Sequence, residues 1–269
     1  MKPREQPAWA EHPDLVAFYS DHRQRVEDLY PSERKFLPWL ARRATSILDV
    51  GCAAGGFVNV WRSYRPGIRY TGVDLSRSLI GAARQRYPDV PFEQGDCAAG
   101  LPFPDAYADV VQALGWLHWE PRYAEALAEL WRLARRYLFF DVRLVAETLV
   151  ASTTVQRMAL AGPWDGRTTT PYVILPWPTL AQRLMALAPV RLWGYGYWGK
   201  PAETVQGIEE PVCFAVFVVE KRSPAAVPEI PEVALELPFA WLETWGGRQV
   251  SLGTHGLDGV LDDGGRRST

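Results

Sequence analysis

Through the first half of the chain, short apolar runs alternate with stretches whose apolar residues recur every three or four positions. The runs at 46–50, 69–74, 90–93, 108–113 and 136–141 predict strands, several of them ending in glycine or an acid. Between them, 57–64, 76–87 and 121–135 predict helices, the first two stopped at Pro66-Gly67 and at Pro88. In the third, Tyr123, Leu127, Leu130, Trp131 and Ala134 share one face, and Pro121 suits a first turn. Two amphipathic helices, 13–30 and 32–43, are expected ahead of the first strand, with Ser32 as the N-cap of the second. Strands and helices in alternation predict a parallel sheet covered by helices on both faces.

Past 142 the periodicity loosens. Gly162-Pro163-Trp164-Asp165-Gly166 and Pro176-Trp177-Pro178 are loop signals mixed with aromatics, so a lid is expected at about 144–178. A helix at 179–187 and strands at 190–198 and 212–220 follow, bringing the sheet to seven strands. The last of these is rich in Val and Phe, as a buried strand should be. From Ser223 the chain is proline-spaced and then rich in Gly, Asp and Arg, and its end is expected to be disordered. No internal repeat is visible. The expected division is a helical cap at 1–44, a main domain at 45–222 and a C-terminal extension at 223–269.

The formal net charge is −2, from 29 Lys and Arg against 31 Asp and Glu, and seven acidic against three basic residues fall in the extension. Neither part has the basic excess of a phosphate-backbone binder, so no nucleic-acid partner is expected. No apolar run approaches the length of a membrane span, and the first residues lack the apolar core of a secretory signal. The three cysteines, Cys52, Cys97 and Cys213, are far apart and odd in number, and the four histidines have no metal-like spacing. A reduced, cytoplasmic protein without disulfides or a metal is expected.

Candidate chemistry concentrates in Ile47-Leu48-Asp49-Val50-Gly51-Cys52-Ala53-Ala54-Gly55-Gly56-Phe57. Small residues between a strand and a helix let a ligand approach the backbone, and the helix start offers free N–H groups. Asp49, inside the strand end, is costly to bury unless a cationic or hydrogen-bonding group meets it. Asp74 ends the next strand 23 residues after Gly51, where a ribose-binding acid belongs. Gly95-Asp96 ends the third strand.

These segments together resemble the class I S-adenosylmethionine-dependent methyltransferases, whose first motif, Asp-x-Gly-x-Gly-x-Gly, stands here as Asp49-Val50-Gly51-Cys52-Ala53-Ala54-Gly55. Ala53 departs from the pattern and adds a methyl beside the expected cofactor path. The resemblance covers about 45–143 well and implies a doubly wound, mostly parallel, Rossmann-like α/β fold with S-adenosylmethionine as cofactor. It implies that Asp49 is a cofactor-binding residue, that the Gly51, Ala53 and Gly55 loop lies along the methionine moiety and that Asp74 binds the ribose hydroxyls. Leu75 would lie beside the adenine, Asp96 at its amino group and Cys97 at its ring edge, with Ala113 also a cofactor neighbour. Two rivals remain. Gly51-x-Ala53-x-x-Gly56 approximates a dinucleotide fingerprint, which would suit an NAD(P)-dependent oxidoreductase. A non-catalytic scaffold with the same fold is the other, favoured by Ala53.

Methyl transfer needs alignment and exclusion of water more than a dedicated base. His118, in Gly115-Trp116-Leu117-His118-Trp119 after the fourth strand, is either a group that orients or deprotonates the acceptor or a structural histidine at a strand-to-helix junction. Tyr19, Arg25 and Tyr30 are candidates to reach the cofactor from the cap. Trp164, Arg167, Tyr172 and Trp177 of the lid, with Trp116 and Trp119, are candidates to wall an apolar, aromatic or sugar-like small-molecule acceptor. Of these, Trp116, Trp119, Trp164 and Tyr172 are the expected substrate-binding residues. Packing of the lid on the sheet is the other use for such aromatics.

Overall fold

The computed structural model describes residues 7–147, 154–160, 162–221, 232–241 and 251–252. All seven expected strands are present: β1 (Ser46–Val50), β2 (Arg69–Asp74), β3 (Phe92–Gln94), β4 (Ala108–Ala113), β5 (Ala134–Val145), β9 (Arg191–Gly199) and β11 (Val212–Glu220). They lie in the order β3-β2-β1-β4-β5-β11-β9. The first five run parallel, and β11 is inserted antiparallel between β5 and β9. The strand order reverses beside β1, the place where open α/β sheets leave a crevice for ligands.

Neighbouring residues of the central strands point to opposite faces, and both faces are buried. Ile47, Val110, Phe139 and Val216 join one core with Phe36, Leu40 and Trp61 of the helices α2 (Pro31–Arg43) and α3 (Phe57–Tyr64). Leu48, Val111, Phe140 and Phe217 join the other, against α5 (Tyr123–Leu133) and α6 (Trp177–Ala186). The continuous apolar runs of the sequence are thus those of a sheet covered on both sides. Helix α4 (Arg77–Arg86) follows β2, with the Ser76 hydroxyl accepting from the Leu79 amide at its start.

Several boundaries differ from expectation. The helix expected at 13–30 is only α1 (Leu15–Ser20), after which the chain turns through Arg23 at φ 49°. The Asp28 carboxylate accepts from the amides of Gln24 and Arg25, capturing backbone donors that a continuing helix would need. Helix α2 starts at Pro31 rather than after Ser32, because proline suits the first helical position; Glu33 reaches back to the Tyr30 amide. Helix α5 ends at Leu133, and Ala134 already pairs with Ala108 in β5, which then runs on to Val145.

The lid contains ordered backbone. Strands β6 (Val155–Arg157), β7 (Thr169–Pro171) and β10 (Val205–Gln206) form a small antiparallel sheet, and β8 (Leu175–Pro176) pairs with the end of β5. In the extension, β12 (Glu232–Glu236) pairs parallel with β9 and β13 (Ser251–Leu252) with β12, so the large sheet runs two strands beyond the expected edge. Lys35 of α2 is ion-paired with Glu236 at 2.6 Å. The last dozen residues, 258–269, expected to be disordered, lie outside the described residues. Among the described residues no helix is long and apolar enough to cross a membrane.

Trp177 starts α6 fully buried and stacks on Phe217 with ring centroids 6.0 Å apart. Trp177→Ala is expected to lower unfolding stability by about 3–5 kcal/mol in urea denaturation. A loss under 1 kcal/mol would show that α6 is not part of the packed core.

Candidate active site

Beyond the carboxyl ends of β1, β2 and β4 lies a crevice with two chambers of about 640 and 580 Å³. Gly51, Asp74, Trp9, Trp116 and Trp119 line both. The first chamber adds Leu75, Asp96, Cys97, Glu120 and Pro171. The second adds Tyr19, Arg23, Ala53, Leu114 and Gly115.

The turn after β1 is built on left-handed backbone. Gly51, Ala53 and Gly55 have φ of 79°, 47° and 82°. A side chain on Gly51 would collide with the Trp116 indole, which folds over it and donates to the Val50 carbonyl at 2.6 Å. At Ala53 the left-handed conformation costs about 1 kcal/mol. It is held by the Asp74 carboxylate, which accepts from the amides of Ala53 and Ser76, both at 2.9 Å. Burial raises the pKa of Asp74, while these backbone bonds oppose the rise. The Ala53 methyl packs toward Leu15, Ala54 and Leu79 in a small apolar cluster with Tyr19.

Three residues expected at the cofactor do not reach the crevice. Asp49 is 2% exposed beneath it, accepting from the Tyr70 hydroxyl and from Gln112 Nε2 at 3.0 Å, and burial pushes its pKa up to about 6. Gly55 faces Tyr87 and Phe92, where it leaves space for both rings. Ala113 is buried within β4, and the next residue, Leu114, is the one that lines the second chamber. For Asp49 and Ala113 strand pleating is the reason: adjacent positions face opposite sides, so one place in register changes what a side chain meets. Asp96 does line the first chamber, clasped by Arg122 Nη2 at 2.8 and 3.0 Å and by the Ala98 amide. Cys97 lies beside it, its thiol pushed up by burial.

The aromatic candidates divide. Trp116 and Trp119 line both chambers, and Trp119 donates to Gln156 of the lid. Tyr172 is buried away from both chambers, 5.4 Å from the His118 ring. Trp164 is 37% exposed and stacks under Arg157 on the small sheet, with Arg167 exposed nearby, and Trp177 belongs to the core. Local hairpin pairing, rather than the crevice, sets where Trp164 sits. In the cap, Tyr19 lines the second chamber, whereas Arg25 is solvent-exposed and paired with Asp28. Arg23 takes the place expected for Arg25 because the chain turns there. Trp9 and Arg23 carried no sequence signal of their own, since only the folded-back cap brings them to the sheet edge.

His118 is 7% exposed, lines neither chamber, and its Nδ1 has no partner. Burial, with Arg143 adding to it, depresses its pKa to about 3 against the opposing pull of Asp141. Its carbonyl accepts from Val173 at 2.6 Å and so ties the lid to the end of β4. Among the described residues no cluster of His, Cys, Asp or Glu is placed to hold a metal ion.

Residues 48–138 match a family model described as a methyltransferase domain. Trans-aconitate 2-methyltransferase of Azoarcus sp. (strain BH72) is 30% identical over 158 residues, 57% of this chain and 61% of that protein. Fatty-acid O-methyltransferase of Mycolicibacterium smegmatis is 38% identical over 103 residues, 36% of this chain and 37% of that protein. The chain therefore spans about three fifths or less of these curated relatives. The crystal structure of the N-terminal domain of EvdMO1 in the presence of SAH and D-fucose superposes with a TM-score of 0.52 at 17% identity, over 75% of this chain and 84% of that one, a likeness of fold. Over residues 48–138 the chain is thus similar to methyltransferase domains, and its fold is like that of the EvdMO1 N-terminal domain.

Proposed function

We propose that the chain transfers a methyl group from S-adenosylmethionine to a small-molecule acceptor. The observation that carries this is the two-chambered crevice, in which Gly51 and Asp74 border both halves at the carboxyl edge of the sheet. The curated relatives are named for methylation of small acids, which supports an acceptor of that size. No observation favours the nicotinamide reading.

The residues present fit the cofactor. Its adenosine half suits the first chamber, where Leu75 and Cys97 offer apolar walls and Asp96 an acceptor oriented by Arg122. Asp74, oriented by the amides of Ala53 and Ser76, presents its carboxylate to the ribose hydroxyls. The amino-acid half suits the second chamber, where Gly51 allows close backbone approach and the buried Arg23 Nε lacks a partner that a carboxylate could supply. When bound, the cofactor supplies an electrophilic methyl carbon on a sulfonium, which the acceptor's electron pair takes as the sulfur keeps the bonding pair. The chain contributes alignment and dryness: Trp9, Trp116 and Trp119 screen the crevice from water, and Tyr19 closes its cap side. Asp49, Gly55 and Ala113 act from behind the crevice by holding its frame. His118 acts as a positioning residue for the lid.

Asp74→Ala is expected to weaken binding of S-adenosylhomocysteine at least about tenfold by calorimetry. Parallel titration of the unaltered protein with NAD(H) should give no binding. Saturable NAD(H) binding without adenosylhomocysteine binding would reverse the reading.

Neutral His118 also has a pH signature. Its folded pKa of about 3 lies below the unfolded value near 6.5, so between these the unfolded chain binds the extra proton. The resulting stability is fully present above pH 6.5 and is lost as pH falls toward 3. Relative to His118→Gln, the wild type should lose about 2 kcal/mol between pH 7 and pH 5 in urea titrations. A difference independent of pH would show the imidazole to be exposed to protonation in the folded state.

A further inference from the structure

A separate recess of about 440 Å³ opens between the start of α2 and the strands β5, β9 and β11. Tyr30, Ser32 and Glu33 border it from the cap, Asp141 and Arg143 from β5, and Tyr197 with Phe214 from the far strands. It shares a wall with the second chamber of the crevice. Arg23, which lines that chamber, is ion-paired with Glu33. Gly115, which also lines it, donates its amide to Asp141 at 2.5 Å.

Hydrogen-bond accounting of this recess shows what it lacks. Both Glu33 oxygens accept, one from Arg23 and one from the Tyr30 amide. Both Asp141 oxygens accept, one from Gly115 and one from Arg143 Nη1 at 2.7 Å. The buried Nε of Arg143 has no partner, although its guanidinium is also hydrogen-bonded to the Tyr172 side chain and lies over the Phe214 ring at 4.2 Å. The missing group is therefore an acceptor, and a buried cationic donor is costly to leave unpaired. A guanidinium takes a carboxylate side-on through Nε and a neighbouring Nη. A phosphate dianion would suit the place poorly, because Glu33 and Asp141 already bring two carboxylates to the same walls. The stacked rings of Tyr197 and Phe214, 5.8 Å apart, give an apolar side for the body of the molecule.

We propose that this recess binds a small carboxylate, with Arg143 as the anchor of its carboxylate and the shared wall of Arg23 and Gly115 separating it from the cofactor crevice. This rests on the recess alone and not on the methyl-transfer reading above. Arg143 would then be a specificity-determining residue, selecting acids over their neutral analogues.

The test uses protein saturated with S-adenosylhomocysteine and two probes of one shape, benzoate and benzamide, followed by ligand-observed NMR. Benzoate should bind at concentrations up to about 10 mM, and benzamide at least about tenfold more weakly. The double substitution Asp141→Asn with Arg143→Gln, which leaves neither charge buried alone, should reduce benzoate binding at least about tenfold. Ser32→Leu, which fills the recess without touching a charge, should remove benzoate binding as well and decides the matter if the double variant does not fold. Benzoate binding no better than benzamide, or binding unchanged in Ser32→Leu, overturns the proposal. Failure of the unaltered protein to bind adenosylhomocysteine strikes the methyl-transfer reading instead.

Discussion

A buried carboxylate on the central strand organises the edge of the sheet where ligands meet it. Asp49 lies on β1 between β2 and β4, and it accepts from Tyr70 of the one and Gln112 of the other. Gln112 in turn accepts from the indole of Trp61 on α3 at 3.0 Å. An isolated carboxylate at this depth would be expensive, and this network satisfies it while tying three strands and a helix at one level. The raised pKa of Asp49 shows that desolvation still outweighs those bonds. The Gly51 turn, Asp74 and Leu114, which line the crevice, are mounted on these three strand ends.

A second tier of charge lies toward the cap. The pairs Arg23–Glu33 and Asp141–Arg143 are both buried and adjacent, with His118 beside them. Charges removed from water in this way contribute little to stability on balance, so their arrangement is better understood as orientation of groups around a ligand. Asp141 illustrates the point. Burial would raise its pKa, but Arg143 and the Gly115 amide hold it below the usual carboxylate range. It therefore stays ionised, keeps Arg143 in place, and secures the turn that carries Trp116.

The twelve tryptophans of the chain serve separate physical ends. Trp39, Trp61, Trp177 and Trp193 fill the two cores on either side of the sheet. Trp9, Trp116 and Trp119 stand instead around the crevice, where an apolar body with one N–H handle can wall a ligand and still be anchored. Trp116 shows both properties, lying on Gly51 and donating to the Val50 carbonyl.

Local sequence determined the strands, most of the helices and the small-residue turn, because apolar periodicity, Gly and Pro punctuation and an acid at a strand end act over neighbouring residues. Asp74, Asp96, Cys97, Trp116 and Trp119 were legible for that reason, each being placed by a short segment against the sheet edge. Only the tertiary structure decided which of two adjacent residues faces the crevice, as with Ala113 and Leu114, since strand register depends on partners distant in the chain. It also decided that the cap turns at Arg23, that β12 and β13 prolong the sheet, and that Trp164 stays out on the small sheet while Trp9 comes in. The recess at Arg143 is the extreme case. Its walls come from α2, β5, β9 and β11, and a hydrogen-bond deficit among residues so far apart in sequence exists only once they are packed together.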